Sequence, residues 1–237
     1  MKRPVVWITG ASRGIGYELA KEFAAAGAEV IATSRRRNQL ARLVGEIRKR
    51  GGTASFFVCD VSSKRSVAST AKRILARFGR VDVLLNNAGV TFFKSLRGTT
   101  QAEFDELIAV NLRGTFLCTK AVIESMVRRR SGHIINIISV TAKKTFTKSG
   151  AYAASKAGVL ALTNVLREEV RPNNVKVTAV FPGATETEMW PAGVREKHRH
   201  RMMKAEDVAK VIVTMVNAPE RAHIEEVVFR PQLGDLP

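Results

Sequence analysis

Seven short, apolar, β-branched runs alternate with helical stretches along this 237-residue chain, and that alternation limits the fold more than any other feature. The runs cover 4–9, 29–33, 53–58, 81–85, 133–138, 175–181 and 224–229. Helical periodicity fills 14–26, 36–50, 64–78, 103–130, 152–170 and 205–217, and Thr100 with Glu103 has the spacing of a capping box for the long fourth helix. Strands that alternate with helices pair in parallel, and near-continuous apolar strands are buried on both faces. The pattern predicts an α/β doubly wound fold, a seven-stranded parallel sheet flanked by helices on both faces. No linker, repeat or low-complexity tract breaks it, so residues 1–237 are expected to form a single domain.

Composition narrows the function classes. Hydrophobic residues make up 45% of the chain, enough for a sizeable core. There is no run of about 18 apolar residues that would span a membrane. The first apolar run, Val5 to Ile8, is too short for the core of a secretory signal. Cys59 and Cys118 are far apart, and neither they nor the four histidines cluster as metal ligands, so no metal is expected. A reducing, cytoplasmic compartment fits best. Lys and Arg number 39 against 21 Asp and Glu, a formal charge of +18. That excess attracts polyanions, but no nucleic-acid motif or aromatic-basic interleaving accompanies it, so no specific nucleic-acid partner is expected.

The first strand runs into Thr9-Gly10-Ala11-Ser12-Arg13-Gly14-Ile15-Gly16 and then a helix. Glycines there let the backbone turn sharply and approach a pyrophosphate at a helix N-terminus; the bland alternative is a simple strand–helix turn. The end of the second strand tests which dinucleotide fits. A carboxylate there would hold the ribose 2′-hydroxyl of NAD and repel the extra phosphate of NADP. The chain instead reads Ser34-Arg35-Arg36-Arg37. Arg35 with Arg13 can grip a 2′-phosphate through charge-assisted hydrogen bonds, which favours NADP(H), unless these arginines only begin a solvated helix face.

Further motifs follow in order: Asp60-Val61, Asn86-Asn87-Ala88-Gly89, Asn111, Ser139, Tyr152-x-x-x-Lys156 and Pro182-Gly183 with Thr187. With the glycine turn they cover about residues 4–190 and resemble the short-chain dehydrogenase/reductase family, in particular its 3-oxoacyl-(acyl-carrier-protein) reductase-like members. The resemblance implies a Rossmann fold and an NADP-dependent enzyme acting on a carbonyl or its alcohol. It also implies a homodimer or homotetramer built on the helices 103–130 and 152–170. Asp60 and Val61 would meet the adenine, Asn87, Ala88 and Gly89 the adenosine ribose, and Pro182, Gly183, Thr185 and Thr187 the nicotinamide end. Ser139 would orient the substrate oxygen, and Asn111 would hold a water that relays protons to Lys156, which would also hold the nicotinamide ribose.

Tyr152 and Lys156, four residues apart on a predicted helix, project from one face. A phenol with a pKa of about 10 exchanges protons poorly at neutral pH, and a nearby ammonium and an oxidised nicotinamide both favour the phenolate and lower that value. Tyr152 is then the general acid in reduction and the base in oxidation.

The substrate side is expected in the segment at about 184–204, where Met189, Trp190, Met202 and Met203 form either an apolar lid or core. That segment and the loop with Lys143, Lys144 and Lys148 are basic, which suggests an anionic or carrier-bound substrate, or else only solvated charge. Arg130 falls where acyl-carrier reductases have a docking arginine, by resemblance; Arg171 lies near but not at the second, and the tail 230–237 departs from their glycine-rich ending. The expected function is NADPH-dependent reduction of a carbonyl to an alcohol. The alternatives are oxidation of a polar alcohol such as a hydroxy amino acid or sugar, and a non-catalytic NADPH sensor.

Overall fold

The computed structural model describes residues 3–219 and 221–236. Seven strands form one all-parallel sheet: β1 (Val5–Thr9), β2 (Glu29–Ser34), β3 (Thr53–Val58), β4 (Val83–Asn86), β5 (Gly132–Ile137), β6 (Val175–Pro182) and, at the far edge, β9 (Glu226–Phe229). Their order is β3-β2-β1-β4-β5-β6-β9. The order reverses between β1 and β4, which opens a crevice beyond the carboxyl ends of those strands, where open α/β sheets bind ligands. A two-residue pair, β7 (Thr185–Glu186) with β8 (Met203–Lys204), lies outside the main sheet.

Alternation along β1 shows how both faces are covered. Val6 and Ile8 point into a core built from α1 (Gly14–Ala25), α2 (Arg37–Lys49) and α8 (Ala205–Val216) through Leu19, Leu40 and Ile212. Val5 and Trp7 point the other way, to Val67 and Ile74 of α3 (Lys64–Phe78) and to Cys118 and Val122 of α5 (Gly114–Arg129). The second core continues over β6, where Ala179 and Phe181 meet Val159 of α6 (Gly150–Val170). Full burial of such a side chain contributes roughly 1.5–3 kcal/mol. Trp7 has no exposed surface, and its indole N–H is satisfied by the Thr33 hydroxyl at 3.0 Å.

All seven sequence-read strands match to within two residues at their starts and one at their ends; the largest shifts are at the fourth, which begins at Val83 rather than 81, and the last, which begins at Glu226 rather than 224. The single helix expected over 103–130 is instead three pieces: α4 (Gln101–Leu107), a π-helical turn at Ile108–Arg113, and α5. The capping box is present, with Thr100 accepting from the Glu103 N–H and the Glu103 carboxylate accepting from the Thr100 N–H. Periodicity cannot distinguish a π turn from helix, because it inserts one residue without exposing the apolar face. The segment expected to hold the substrate contains a further short helix, α7 (Ala192–His198), between β7 and β8. Among the described residues no helix is long and apolar enough to cross a membrane.

Candidate active site

The carboxyl ends of β1, β4, β5 and β6 border a cleft of about 710 Å³. At one end lies the glycine turn. Gly10 has φ +66°, and a Cβ there would stand 2.7 Å from Ala88 Cα, so this approach requires glycine. Thr9 joins the turn to the β4 loop. Its hydroxyl accepts from the N–H groups of Asn87 and Ala88, each at 3.0 Å, and donates to the Leu85 carbonyl. The Asn87 amide donates to the Thr9 carbonyl at 2.9 Å, so this side chain fastens the turn, and Asn87, Ala88 and Gly89 all line the cleft. Gly10, Ser12, Arg13, Gly14 and Ile15 line the wall, whereas Gly16 is buried behind it, where a Cβ would meet the Asn87 amide at 2.3 Å.

Ser34 and Arg35 border the same end of the cleft, with Arg36 beside them. Arg13 and Arg35 are exposed, and among the described residues no carboxylate lies within ion-pair distance of either. Two free guanidinium groups beside a helix N-terminus, with no acid closing β2, form a donor set that suits a phosphate monoester. Asp60 and Val61 line the adjoining wall; Oδ1 of Asp60 accepts from the N–H and hydroxyl of Ser62, which fixes its direction.

At the other end of the cleft stand Ser139, Tyr152 and Lys156, with Ser139 just beyond β5 and the other two on the inner face of α6. All three are buried. Ser139 lies beside the Tyr152 phenol, and the Lys156 ammonium lies 5.8 Å from the Tyr152 ring centroid. Lys156 Nζ donates to the Ile137 carbonyl at 2.8 Å. Among these protein groups burial dominates. It raises the Tyr152 phenol to about 12, Ser139 opposing, and lowers the Lys156 ammonium to about 8. Among the protein groups, then, desolvation and Ser139 set the phenol, and the expected lowering by Lys156 is not among the causes.

Asn111 is not in the cleft wall. It lies in the π turn, 1% exposed, and its side chain is engaged. Oδ1 accepts from the Val90 N–H at 2.9 Å, and Nδ2 donates to the Val90 carbonyl and the Ser155 hydroxyl, each at 3.0 Å. Its main-chain carbonyl accepts from the Thr115 hydroxyl at 2.8 Å, while Oδ1, with one bond accepted, keeps a second lone pair. Gly89 lies directly over this clamp, its Cβ position 3.3 Å from Asn111 Oδ1 and 3.7 Å from Lys156 Nζ.

Pro182, Gly183, Thr185 and Thr187 complete the wall beyond β6, and Thr187 packs on Gly14, 3.2 Å from its Cβ position. The lid-or-core alternative divides between the two pairs. Met202 and Met203 pack inward, whereas Met189 and Trp190 face the cleft. Trp190 stacks on Phe93 of the β4 loop, with centroids 4.7 Å apart and planes at 15°.

Sequence reasoning missed Thr9, the Phe93–Trp190 stack and the tail residues Asp235 and Leu236, which also line the cleft. Thr9 was visible as a strand-end hydroxyl. The other two depend on loops that meet only in three dimensions. The basic rim is also less free than its composition suggests, since Lys143 pairs with Glu226 and Lys144 with Asp235. Arg130 precedes β5, at the opposite end of that strand from the cleft, and donates to the Pro172 carbonyl; Arg171 pairs with Glu168 and Glu225.

Comparison with known proteins agrees with this geometry. The short chain dehydrogenase family model matches residues 4–218. A sepiapterin reductase of Chlorobaculum tepidum is 37% identical over 98% of each chain. A 3-oxoacyl-(acyl-carrier-protein) reductase of Thermotoga maritima is 35% identical over 90% of each. Among solved structures, a metagenomic short-chain oxidoreductase in complex with NADP superposes with a TM-score of 0.85 at 36% identity, covering 97% of each chain. A sheet that opens between β1 and β4, a glycine turn against the β4 loop and a match along almost the whole length have one common explanation: this chain is an oxidoreductase of the short-chain dehydrogenase family.

Proposed function

We propose that the protein is an NADPH-dependent carbonyl reductase whose cleft accepts a ketone with an apolar or planar body. The observation that carries this reading is the buried group Ser139, Tyr152 and Lys156 at one end of a cleft whose other end presents Arg13 and Arg35. The bound cofactor supplies hydride. Arg13 and Arg35 hold its 2′-phosphate, the N-terminus of α1 its pyrophosphate, and Lys156 its nicotinamide ribose. Ser139 donates a hydrogen bond to the substrate oxygen, and Tyr152, kept protonated by burial, gives that oxygen its proton. Asn111 holds the Gly89–Val90 backbone in register with Lys156 and holds the relay water.

The substrate end supports the finer part. Phe93 and Trp190 form an aromatic wall, which favours a flat substrate body over an extended acyl chain on a carrier. The curated relative named for sepiapterin reduction is consistent with such a body. Carrier docking has less support, because Arg130 and Arg171 are engaged at the far end of the sheet. The enzyme is a homo-oligomer in this reading, with Phe104, Phe116 and Val165 on the exposed faces of α4, α5 and α6 as its contacts.

NADPH oxidation by purified protein across aryl ketones, diketones, keto sugars and 3-oxoacyl thioesters, with NADH in parallel, tests the reading. Turnover of the ketones with NADPH, lost in Tyr152→Phe while NADPH still binds, is the expected result. Unchanged turnover in Tyr152→Phe refutes the mechanism. Tight NADPH binding without turnover of any substrate favours the sensor.

A further inference from the structure

Beyond β9 the chain doubles back over the cleft. Pro231 is buried against Gly183, whose Cβ position lies 3.0 Å from Pro231 Cδ, and Gly234 turns the backbone with φ +79°. Asp235 and Leu236 thereby enter the cleft wall on the side of Pro182 and Gly183. Three cations from three separate segments fasten this tail. Arg201 donates to the carbonyls of Leu233 and Asp235 at 3.1 and 3.3 Å. Lys144, from the loop after β5, bonds the Asp235 carboxylate at 2.7 Å, and Arg230 bonds both of its oxygens, Nε at 2.9 Å.

The arrangement is asymmetric. The Asp235 side chain is 13% exposed, whereas Lys144 and Arg230 are 56% and 41% exposed. Asp235 lines the cleft, and neither cation does. Burial raises the carboxyl, but the bonds from Lys144 and Arg230 outweigh it and hold Asp235 below the usual carboxylate range. A fixed negative charge therefore sits in the cleft wall, while the two positive charges paired with it lie outside that wall and are already engaged.

We infer that residues 231–236 form a strap across the substrate end of the cleft, and that Asp235 is a specificity-determining residue that makes the cleft select against anionic substrates. This rests on the reading of the cleft as a carbonyl reductase site. The strap explains how a chain of charge +18 can have a basic rim and still favour a neutral ketone. Removing the Asp235 charge changes the local sum from +1 (Lys144 and Arg230 less Asp235) to +2 and leaves those cations free to attract an anion.

The test uses a matched pair of ketones, benzoylformate and its uncharged methyl ester, titrated calorimetrically into the full-length protein loaded with NADP+. Binding is read without turnover. The wild-type protein is expected to bind the ester more tightly than the acid. Asp235→Asn, which keeps the shape of the side chain, should tighten benzoylformate about tenfold, ~1.4 kcal/mol, and change the ester less than twofold. Adding Lys144→Met to Asp235→Asn should reverse most of that gain, a readout that general loosening of the tail does not produce. Equal shifts for acid and ester, or no shift for either, overturn the inference. The expected shift in a protein that turns over no ketone would instead count against the reductase reading and leave the strap standing.

Discussion

Replacing Asn111 with alanine separates a clamp from a catalytic group. The side chain makes three hydrogen bonds, two of them to the backbone of Val90, and is 1% exposed. Alanine leaves the Val90 N–H and carbonyl without partners. Each such group costs about 1–3 kcal/mol, with the low end appropriate because Val90 is only half-buried and water reaches part of it. Ser155 loses a donor but keeps its own bond to the Tyr152 carbonyl, at 2.7 Å, and adds little. The sum, with a small void, is about 3 kcal/mol. For a chain of this length that lowers the melting temperature by roughly 6–12 °C. Urea unfolding monitored at two wavelengths, with and without saturating NADPH, measures it. NADPH affinity should fall as well, because the segment 87–90 lines the cleft. A loss below about 1 kcal/mol with unchanged affinity would show that the loop holds its position without this residue, and the clamp would be refuted.

Arg35→Ala should weaken NADPH about tenfold or more and NADH less than twofold, read by fluorescence titration; equal losses remove its phosphate role. Gly10→Ala should destabilise by roughly 2–4 kcal/mol, because a positive φ coincides with a 2.7 Å approach to backbone. Gly45→Ala, inside α2 with nothing within 4 Å, should instead stabilise by about 0.5–1 kcal/mol. His133 is half-buried and its pKa falls to about 3, mainly through desolvation. A folded pKa below the unfolded one means that its contribution is full above about 6.5 and is lost as the pH falls toward 3, so denaturant midpoints should show roughly 2 kcal/mol lost between pH 7 and 5, and His133→Gln should flatten that loss.

What was legible in the sequence was whatever local chemistry determines. Strand runs such as EVIAT and HIINII alternate or fill with apolar side chains, so their positions followed from burial alone. Tyr152 and Lys156 share a helix face, and the helix brings them together. The rest depends on contacts between distant segments. Asn136 follows no short-range rule, yet it accepts from Asn86 across the sheet at 2.9 Å and donates to Thr163 at 2.8 Å, which ties α6 to β5 beneath the site. The π turn leaves the apolar pattern intact. Lys144 looked like a free surface charge until Asp235, 91 residues later, was found beside it.

The pH behaviour of the two reaction directions decides between a phenol and a phenolate as the resting state of Tyr152. Reduction of a ketone by NADPH consumes one proton, so the ratio of forward to reverse kcat/KM must fall about tenfold per pH unit, whatever the enzyme does. Which direction carries that dependence is set by the site. Among the protein groups burial raises Tyr152 to about 12 and lowers Lys156 to about 8, so between pH 6 and 8 the phenol keeps its proton, while the lysine keeps its charge to about pH 7 and has lost half of it by 8. Reduction finds its acid ready throughout and should stay level to about pH 7, falling as Lys156 neutralises around 8. Oxidation needs the minor phenolate form and should rise about tenfold per unit over the same range. Initial rates in both directions with one ketone–alcohol pair read this directly. A level oxidation profile beside a reduction rate that falls across pH 6–8 would mean that the resting group is a phenolate, and desolvation would not be the force that sets this site.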